Sequence, residues 1–121
     1  MRYWFLNAIC GLIVLVLLTM HMFTMHLDDI LSVFFSVNTE PLGWDAVSAR
    51  GASTLYTGVY IVLLGTALFH GFYGLRTVLT EVWSSDRAGR LIRTACWLAG
   101  LGLFAVGLAA ALAYHAKVVP A

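Results

Sequence analysis

His70 is the residue with the clearest potential for chemistry, because it lies inside a long apolar stretch of the chain. On one face of a helix, the small residues Thr66 and Ala67 lie one turn before His70, and Gly74 lies one turn after it. Neutral imidazole is a common iron ligand, and a porphyrin needs a helix wall without bulky side chains. The spacing therefore favours a haem site between helices. The alternative is a histidine that only hydrogen-bonds to a neighbouring helix, which requires no cofactor.

The composition places the chain in a membrane. Of the 121 residues, 61% are hydrophobic and 11% are charged, and the mean hydropathy is +0.89, whereas a soluble domain is about 45–50% apolar. The net charge of +1 and the lack of a basic patch with interleaved aromatic residues indicate no binding of nucleic acid. Cys10 and Cys96 lie in apolar runs without metal-ligand spacing. We expect a single all-α integral membrane domain over residues 1–121.

Three apolar stretches are long enough to cross a bilayer as helices, which takes about 20 residues each. They cover residues 3–26, 53–75 and 91–115. The first is longer than the apolar core of a secretion signal, so we interpret it as a retained helix. Apolar residues at helical spacing over residues 27–37 predict a short helix in the plane of the membrane interface. Pro41 and Gly43 indicate a break over residues 38–43, and Ser84 and Ser85 indicate a break or cap before the third span.

The basic residues predict the topology. One side carries five of them and the other carries two, Arg50 and Lys117, so the positive-inside rule predicts a cytoplasmic amino terminus and an outer carboxyl terminus. The five are Arg2, Arg76, Arg87, Arg90 and Arg93. His70 then lies in the cytoplasmic half of a multi-pass protein of a bacterial-type inner membrane.

Small residues on the third span predict close helix packing. We expect this packing to continue onto a helix of a partner subunit. The small residues are Ala95, Ala99, Gly102, Ala109 and Ala113. The sequence contains no set of nucleophile, base and acid within reach of one another and no paired-carboxylate motif. We therefore assign no catalytic residue, and a redox or ligand-carrying role remains.

The region around His70 carries a resemblance to a known family. His70, Gly74 and the run Val78-Leu79-Thr80-Glu81 are similar to a histidine, a glycine four residues later and then Val-Leu-Thr-Asp-Tyr in the small cytochrome b membrane-anchor subunit of succinate dehydrogenase and fumarate reductase (respiratory complex II). The resemblance implies that His70 is an axial ligand of haem b, with Gly74 as haem clearance and the second ligand on a companion anchor. It also implies that the acidic residue lies at a quinone pocket, for ubiquinone or menaquinone, beside the iron-sulfur subunit.

The chain departs from the family pattern at the quinone end. Glu81 replaces Asp, and Val82 replaces the Tyr that would donate a hydrogen bond to a quinone carbonyl. Trp83 is adjacent and its indole N–H is a candidate replacement, although one residue along a helix is a turn of about 100°. Arg76 is a candidate for holding a haem propionate or a carboxylate of the quinone site. Alternatively, Arg76 only anchors the helix at the membrane surface.

A second resemblance lies in the first span. Leu18-Thr19-Met20-His21-Met22-Phe23 resembles the first helix of the five-span, two-haem anchors of the same enzyme group, which implies His21 as a candidate ligand of a second, outer haem. His26 and His115 lie at the same end of the chain's spans. The alternative is that these histidines are interfacial, with their polar tips in water.

Together, the resemblances imply a haem b- and quinone-binding anchor of a succinate:quinone oxidoreductase, which passes electrons between the iron-sulfur subunit and membrane quinone. The expected partners are a second membrane-anchor subunit, the iron-sulfur subunit and a flavoprotein subunit that performs the dicarboxylate step. Two alternatives stay open: the anchor of another quinone-linked oxidoreductase, and a haem-free structural or assembly subunit.

Overall fold

The computed structural model describes residues 2–34 and 42–119, and within these ranges every regular element is a helix. In chain order the helices are α1 (Arg2–Phe34), α2 (Trp44–Ala52), α3 (Thr54–Val82) and α4 (Asp86–Val118). Three of them contain candidate membrane spans by length and composition, at Tyr3–His26, Thr54–Val82 and Asp86–Val118. The prediction of an all-α membrane protein with three spans is therefore confirmed.

The surface of the bundle is apolar, as a lipid environment requires. Within the described residues only Cys10, Cys96 and Thr57 are buried, while large apolar side chains such as those of Leu98 and Val106 are more than half exposed. In water this exposure would be strongly unfavourable. The helices must therefore be covered by lipid or by other membrane chains.

A short helix follows the first span as predicted, but its position differs. The sequence predicted this helix over residues 27–37, whereas α1 continues without interruption to Phe34 and the short helix is α2, at Trp44–Ala52. No glycine or proline lies between His26 and Phe34, so nothing there stops the ladder of helical hydrogen bonds. Residues 35–37 and most of the predicted break at 38–43 lie outside the described residues.

The connection between α3 and α4 is confined to three residues, Trp83 to Ser85. The Oγ of Ser85 accepts a hydrogen bond from the backbone N–H of Ala88 at 3.2 Å, which makes Ser85 the N-cap of α4. The predicted break or cap at Ser84 and Ser85 is thus confirmed. Because the connection is short, α3 and α4 run antiparallel, and residues near the end of α3 lie level with residues near the start of α4.

The central helix is α3, which packs against both α1 and α4. Glycines permit its contact with α4: a Cβ on Gly65 would lie 3.2 Å from the Phe104 ring, and a Cβ on Gly100 would lie 3.3 Å from the Phe72 ring. The stripe of small residues predicted for close helix packing and for contact with a partner subunit (Ala95, Ala99, Gly102, Ala109, Ala113) is exposed. α4 therefore uses a different face to contact α3, and the stripe is left on the outer surface.

Candidate functional site

His70 lies on α3 and its ring is held by the backbone of α1. Its Nδ1 is 3.2 Å from the backbone carbonyl oxygen of Asn7. A carbonyl oxygen only accepts hydrogen bonds, so Nδ1 must carry the hydrogen and Nε2 must carry the lone pair. Nε2 has no hydrogen-bond partner in the part of the chain that the structure describes. The imidazole is therefore fixed in the tautomer whose Nε2 can bind a metal.

Gly11 provides the space for this arrangement. A Cβ on Gly11 would lie 2.9 Å from Cε1 and 3.0 Å from Nδ1 of His70, closer than side-chain atoms normally approach. Gly11 follows Asn7 by one helical turn, so the two residues form a single small, polar patch on α1. Sequence reasoning missed both residues. The available signal was the pairing of an asparagine with a glycine four residues later inside an otherwise apolar helix.

An open face of α3 lies beside His70. The His70 side chain is exposed, and a Cβ added to Gly71 or to Gly74 would meet no atom within 4 Å. Gly74 is one turn beyond His70, on the same side of the helix. The helix surface at Gly74 is thus open space, and its role as haem clearance stays a prediction. Among the described residues, the helix surface at Gly71 and Gly74 therefore leaves room for a flat group beside His70.

Arg76 lies on a different face of α3. It lines a groove of about 520 Å³ whose floor is α3 and whose walls come from α4 and from Tyr3 of α1. Arg76 follows Gly74 by two residues, which places it roughly 160° around the helix from Gly74. A second arginine, Arg93 of α4, lines the same groove. Sequence reasoning treated Arg93 only as a topology signal and missed that it lines the same groove as Arg76.

Glu81 and Trp83 lie at the end of α3, away from that groove. Both side chains are exposed, Trp83 by 56%, and neither lines the groove that contains Arg76. Among the described residues, Arg76 is thus the one of the three predicted quinone-site residues that lines this groove. Glu81 and Trp83 instead present a carboxylate and an indole N–H outward, where a docked subunit could complete a site.

The histidines at the opposite end of the bundle lie in separate environments. The ring of His21 packs edge-on against Tyr60, with ring centroids 5.5 Å apart, and its buried Nδ1 has no hydrogen-bond partner among the described residues. His115 uses its Nδ1 to bond the carbonyl oxygen of Gly51 at 2.7 Å. His26 is exposed.

Within residues 2–34 and 42–119, no group of three or more His, Cys, Asp or Glu side chains is arranged to hold a metal ion.

These features define a class: a small helical membrane protein with three spans, whose central helix presents one backbone-anchored histidine beside a bare helix face. A protein of Archaeoglobus fulgidus named "Succinate dehydrogenase hydrophobic membrane anchor subunit" is 28% identical to this chain over 105 residues, which cover 87% of this chain and 82% of that protein. The resemblance to membrane anchors of succinate dehydrogenase, predicted from the sequence, is confirmed. No family model and no solved structure matches the chain.

Proposed function

We propose that the chain is a haem b-binding membrane-anchor subunit of a succinate:quinone oxidoreductase. The observation that carries the proposal is the hydrogen bond from His70 Nδ1 to the Asn7 carbonyl oxygen, beside the open face at Gly71 and Gly74. Histidines that bind metals usually donate their other ring N–H to a carbonyl or carboxylate, which fixes the ring and raises its basicity. The similarity to the named anchor of Archaeoglobus fulgidus supports the same conclusion.

The residues around His70 fit haem b in three respects. His70 offers Nε2 as an axial ligand, Asn7 and Gly11 hold the ring in place, and Gly71 and Gly74 leave the helix face bare. When bound, haem b supplies a one-electron redox centre whose potential depends on its axial ligands and their hydrogen bonds. Beside this open face the described residues offer one such ligand, His70, and His115, which is anchored in the same way, lies at the opposite end of the bundle. We therefore assign the second ligand to the companion anchor subunit. His21 lacks a comparable hydrogen bond and stays a prediction for a second, outer haem.

We assign the contacts with quinone to Glu81 and Trp83, at the end of α3. Their exposed side chains supply an acceptor and a donor of hydrogen bonds at the end of α3, which is the chemistry that a quinone carbonyl and its protons require. Val82, in place of the family's tyrosine, cannot donate a hydrogen bond. We therefore infer that the quinone, ubiquinone or menaquinone, lies between this end and the docked iron-sulfur subunit, with further donors from the partners.

This assignment also sets the orientation. The end of α3 with Glu81 and Trp83 faces the cytoplasm of a bacterial-type cell, together with Arg76, Arg87 and Arg90. The iron-sulfur and flavoprotein subunits dock there, and electrons pass between the iron-sulfur subunit and membrane quinone. The flavoprotein performs the dicarboxylate chemistry, since this chain carries no catalytic set of its own.

The experiment is a substitution of His70 in the assembled complex. The His70→Ala complex should lose the b-type band in the dithionite-reduced minus oxidised spectrum, with haem content measured by pyridine haemochrome. His26→Ala, at the opposite end of the bundle, is the matched control and should retain the band. His70→Met retains a side chain able to bind iron, and it should restore part of the haem with an altered potential. Unchanged haem in the His70→Ala complex would refute the proposal and leave a haem-free structural subunit.

A further inference from the structure

A second site is suggested by the groove between α3 and α4, which the haem and quinone assignments do not use. One end of the groove carries the guanidinium groups of Arg76 and Arg93. Neither group has an ion-pair or hydrogen-bond partner among the residues that the structure describes. The rest of the lining is dominated by apolar and aromatic side chains, among them Leu68, Phe69 and Phe72 of α3 and Trp97, Leu101 and Phe104 of α4.

The two arginines lie at the same depth. Arg76 is six residues before the end of α3 at Val82, and Arg93 is seven residues after the start of α4 at Asp86. At about 1.5 Å per residue, both lie about 10 Å from the connection that joins the helices. Two positively charged residues at about one level along the helices therefore line the same end of an apolar groove.

The length of the groove equals the depth of one leaflet. Along α3 it extends from Arg76 to Gly65, and along α4 from Arg93 to Phe104. Each stretch is twelve residues, whose eleven helical rises of about 1.5 Å span about 16 Å, while half of a bilayer's hydrocarbon core is about 15 Å. The occupant must therefore be apolar over the thickness of one leaflet and negatively charged at its surface end.

We propose that this groove binds an anionic phospholipid. Arg76 and Arg93 hold the phosphate by charge-assisted hydrogen bonds, and an acyl chain lies along Phe72 and Trp97 towards Phe104. A quinone is neutral and would leave two guanidinium charges without a counterion. No histidine lines the groove, so this chain offers no imidazole there for a haem of the kind proposed at His70. The lipid would fill the space between α1 and α4 and fix the end of α3 from which Glu81 and Trp83 project.

The test uses the fluorescence of Trp97, which lines the groove. In the full-length chain Trp4, Trp44 and Trp83 are replaced by Phe, and the protein is reconstituted in phosphatidylcholine vesicles. Two vesicle preparations are compared. One contains phosphatidylglycerol with brominated acyl chains and the other contains the same fraction of phosphatidylcholine with brominated acyl chains. Bromine atoms quench the fluorescence of nearby indoles. Brominated phosphatidylglycerol should quench Trp97 more strongly. Addition of inorganic phosphate should not remove the difference, because the acyl chain and the headgroup bind together.

Substitution of the arginines supplies the control. The preference for phosphatidylglycerol should fall about fivefold for each arginine removed, so about 25-fold for Arg76→Gln with Arg93→Gln. Arg87→Gln, outside the groove, should leave it unchanged. Equal quenching by the two lipids, or an unchanged preference in the double variant, would overturn the proposal.

The assembled complex distinguishes a lipid from a protein occupant. Phospholipid analysis of the purified complex should show less bound anionic lipid in the double variant than in Arg87→Gln. If both complexes carry the same amount, a partner subunit covers the groove and the proposal is wrong. The haem band of His70 is measured in the same samples, so that failure of the lipid site and failure of the proposed haem site are separate results.

Discussion

His70 Nδ1 lies 3.2 Å from the backbone carbonyl oxygen of Asn7, although the two residues are 63 positions apart in the chain. This hydrogen bond connects the middle of α3 to the first turns of α1. The Asn7 carbonyl also lies where it accepts the helical hydrogen bond from Gly11, one turn later. The orientation of the proposed iron ligand therefore depends on the backbone of another helix, which a change in the side chain of Asn7 would not remove.

Gly11→Ala tests this dependence. The new methyl group would displace the His70 ring, because its carbon would lie 2.9 Å from Cε1 and 3.0 Å from Nδ1. Loss of a hydrogen bond that orients a metal ligand typically lowers metal affinity 10–100-fold, so we expect haem affinity to fall about tenfold. The measurements are the haem-to-protein ratio and a potentiometric titration of the complex. Gly102→Ala, whose methyl group would meet nothing within 4 Å, should change neither value.

Gly74→Leu tests the open face beside His70. The leucine side chain would occupy the space in which a porphyrin must lie, so we expect loss of most haem while the chain still inserts and accumulates in the membrane. Gly58→Leu is the matched control, because Gly58 lies on the same helix and a Cβ there also meets no atom within 4 Å. Full haem content in the Gly74→Leu complex would contradict the use of this face.

The sequence was sufficient to predict the parts of the fold that depend on local pattern. Hydropathy and length identified the three spans, and two consecutive serines indicated the cap of α4, because both signals act within a few residues. The position of the short helix was predicted less well. Residues 27–34 are polar enough to suggest an interfacial element, but they contain no helix breaker and α1 continues through them.

The candidate site was predictable only in part. His70 and Gly74 lie one turn apart, so their common face follows from helix geometry. The roles of Asn7 and Gly11 depend on how α1 packs against α3. The common groove of Arg76 and Arg93 depends on the antiparallel contact of α3 with α4. Such contacts join residues far apart in sequence and leave no periodic signal. The small stripe on α4, expected to contact a partner subunit, is not the face that packs against α3; Gly65 and Gly100 permit that contact.

Gly51→Ala tests the packing of α2 at the end of the bundle opposite Glu81 and Trp83. A methyl group on Gly51 would overlap the ring of Tyr114, with Cδ1 of that ring only 2.8 Å away. Such overpacking costs typically about 1–3 kcal/mol, so we expect a lower thermal midpoint in detergent. In a Tyr114→Ala background the added methyl group has room, and its effect should disappear. An equal loss of stability in both backgrounds would show that the contact is not responsible.

Ser85→Ala tests the junction that sets the relative positions of Arg76, Arg93 and the end of α3. The substitution removes the hydrogen bond that the Ser85 Oγ accepts from the backbone N–H of Ala88, and loss of an N-cap costs about 1 kcal/mol. Amide exchange at Ala88 should become about fivefold faster, which is the factor that corresponds to this energy. Ser84→Ala removes an exposed serine that is not the cap, and should leave exchange at Ala88 unchanged. Because α3 and α4 are joined by only three residues, fraying of this cap should also weaken the lipid preference at the groove lined by Arg76 and Arg93. The haem band should be retained, because His70 contacts α1 and not this junction.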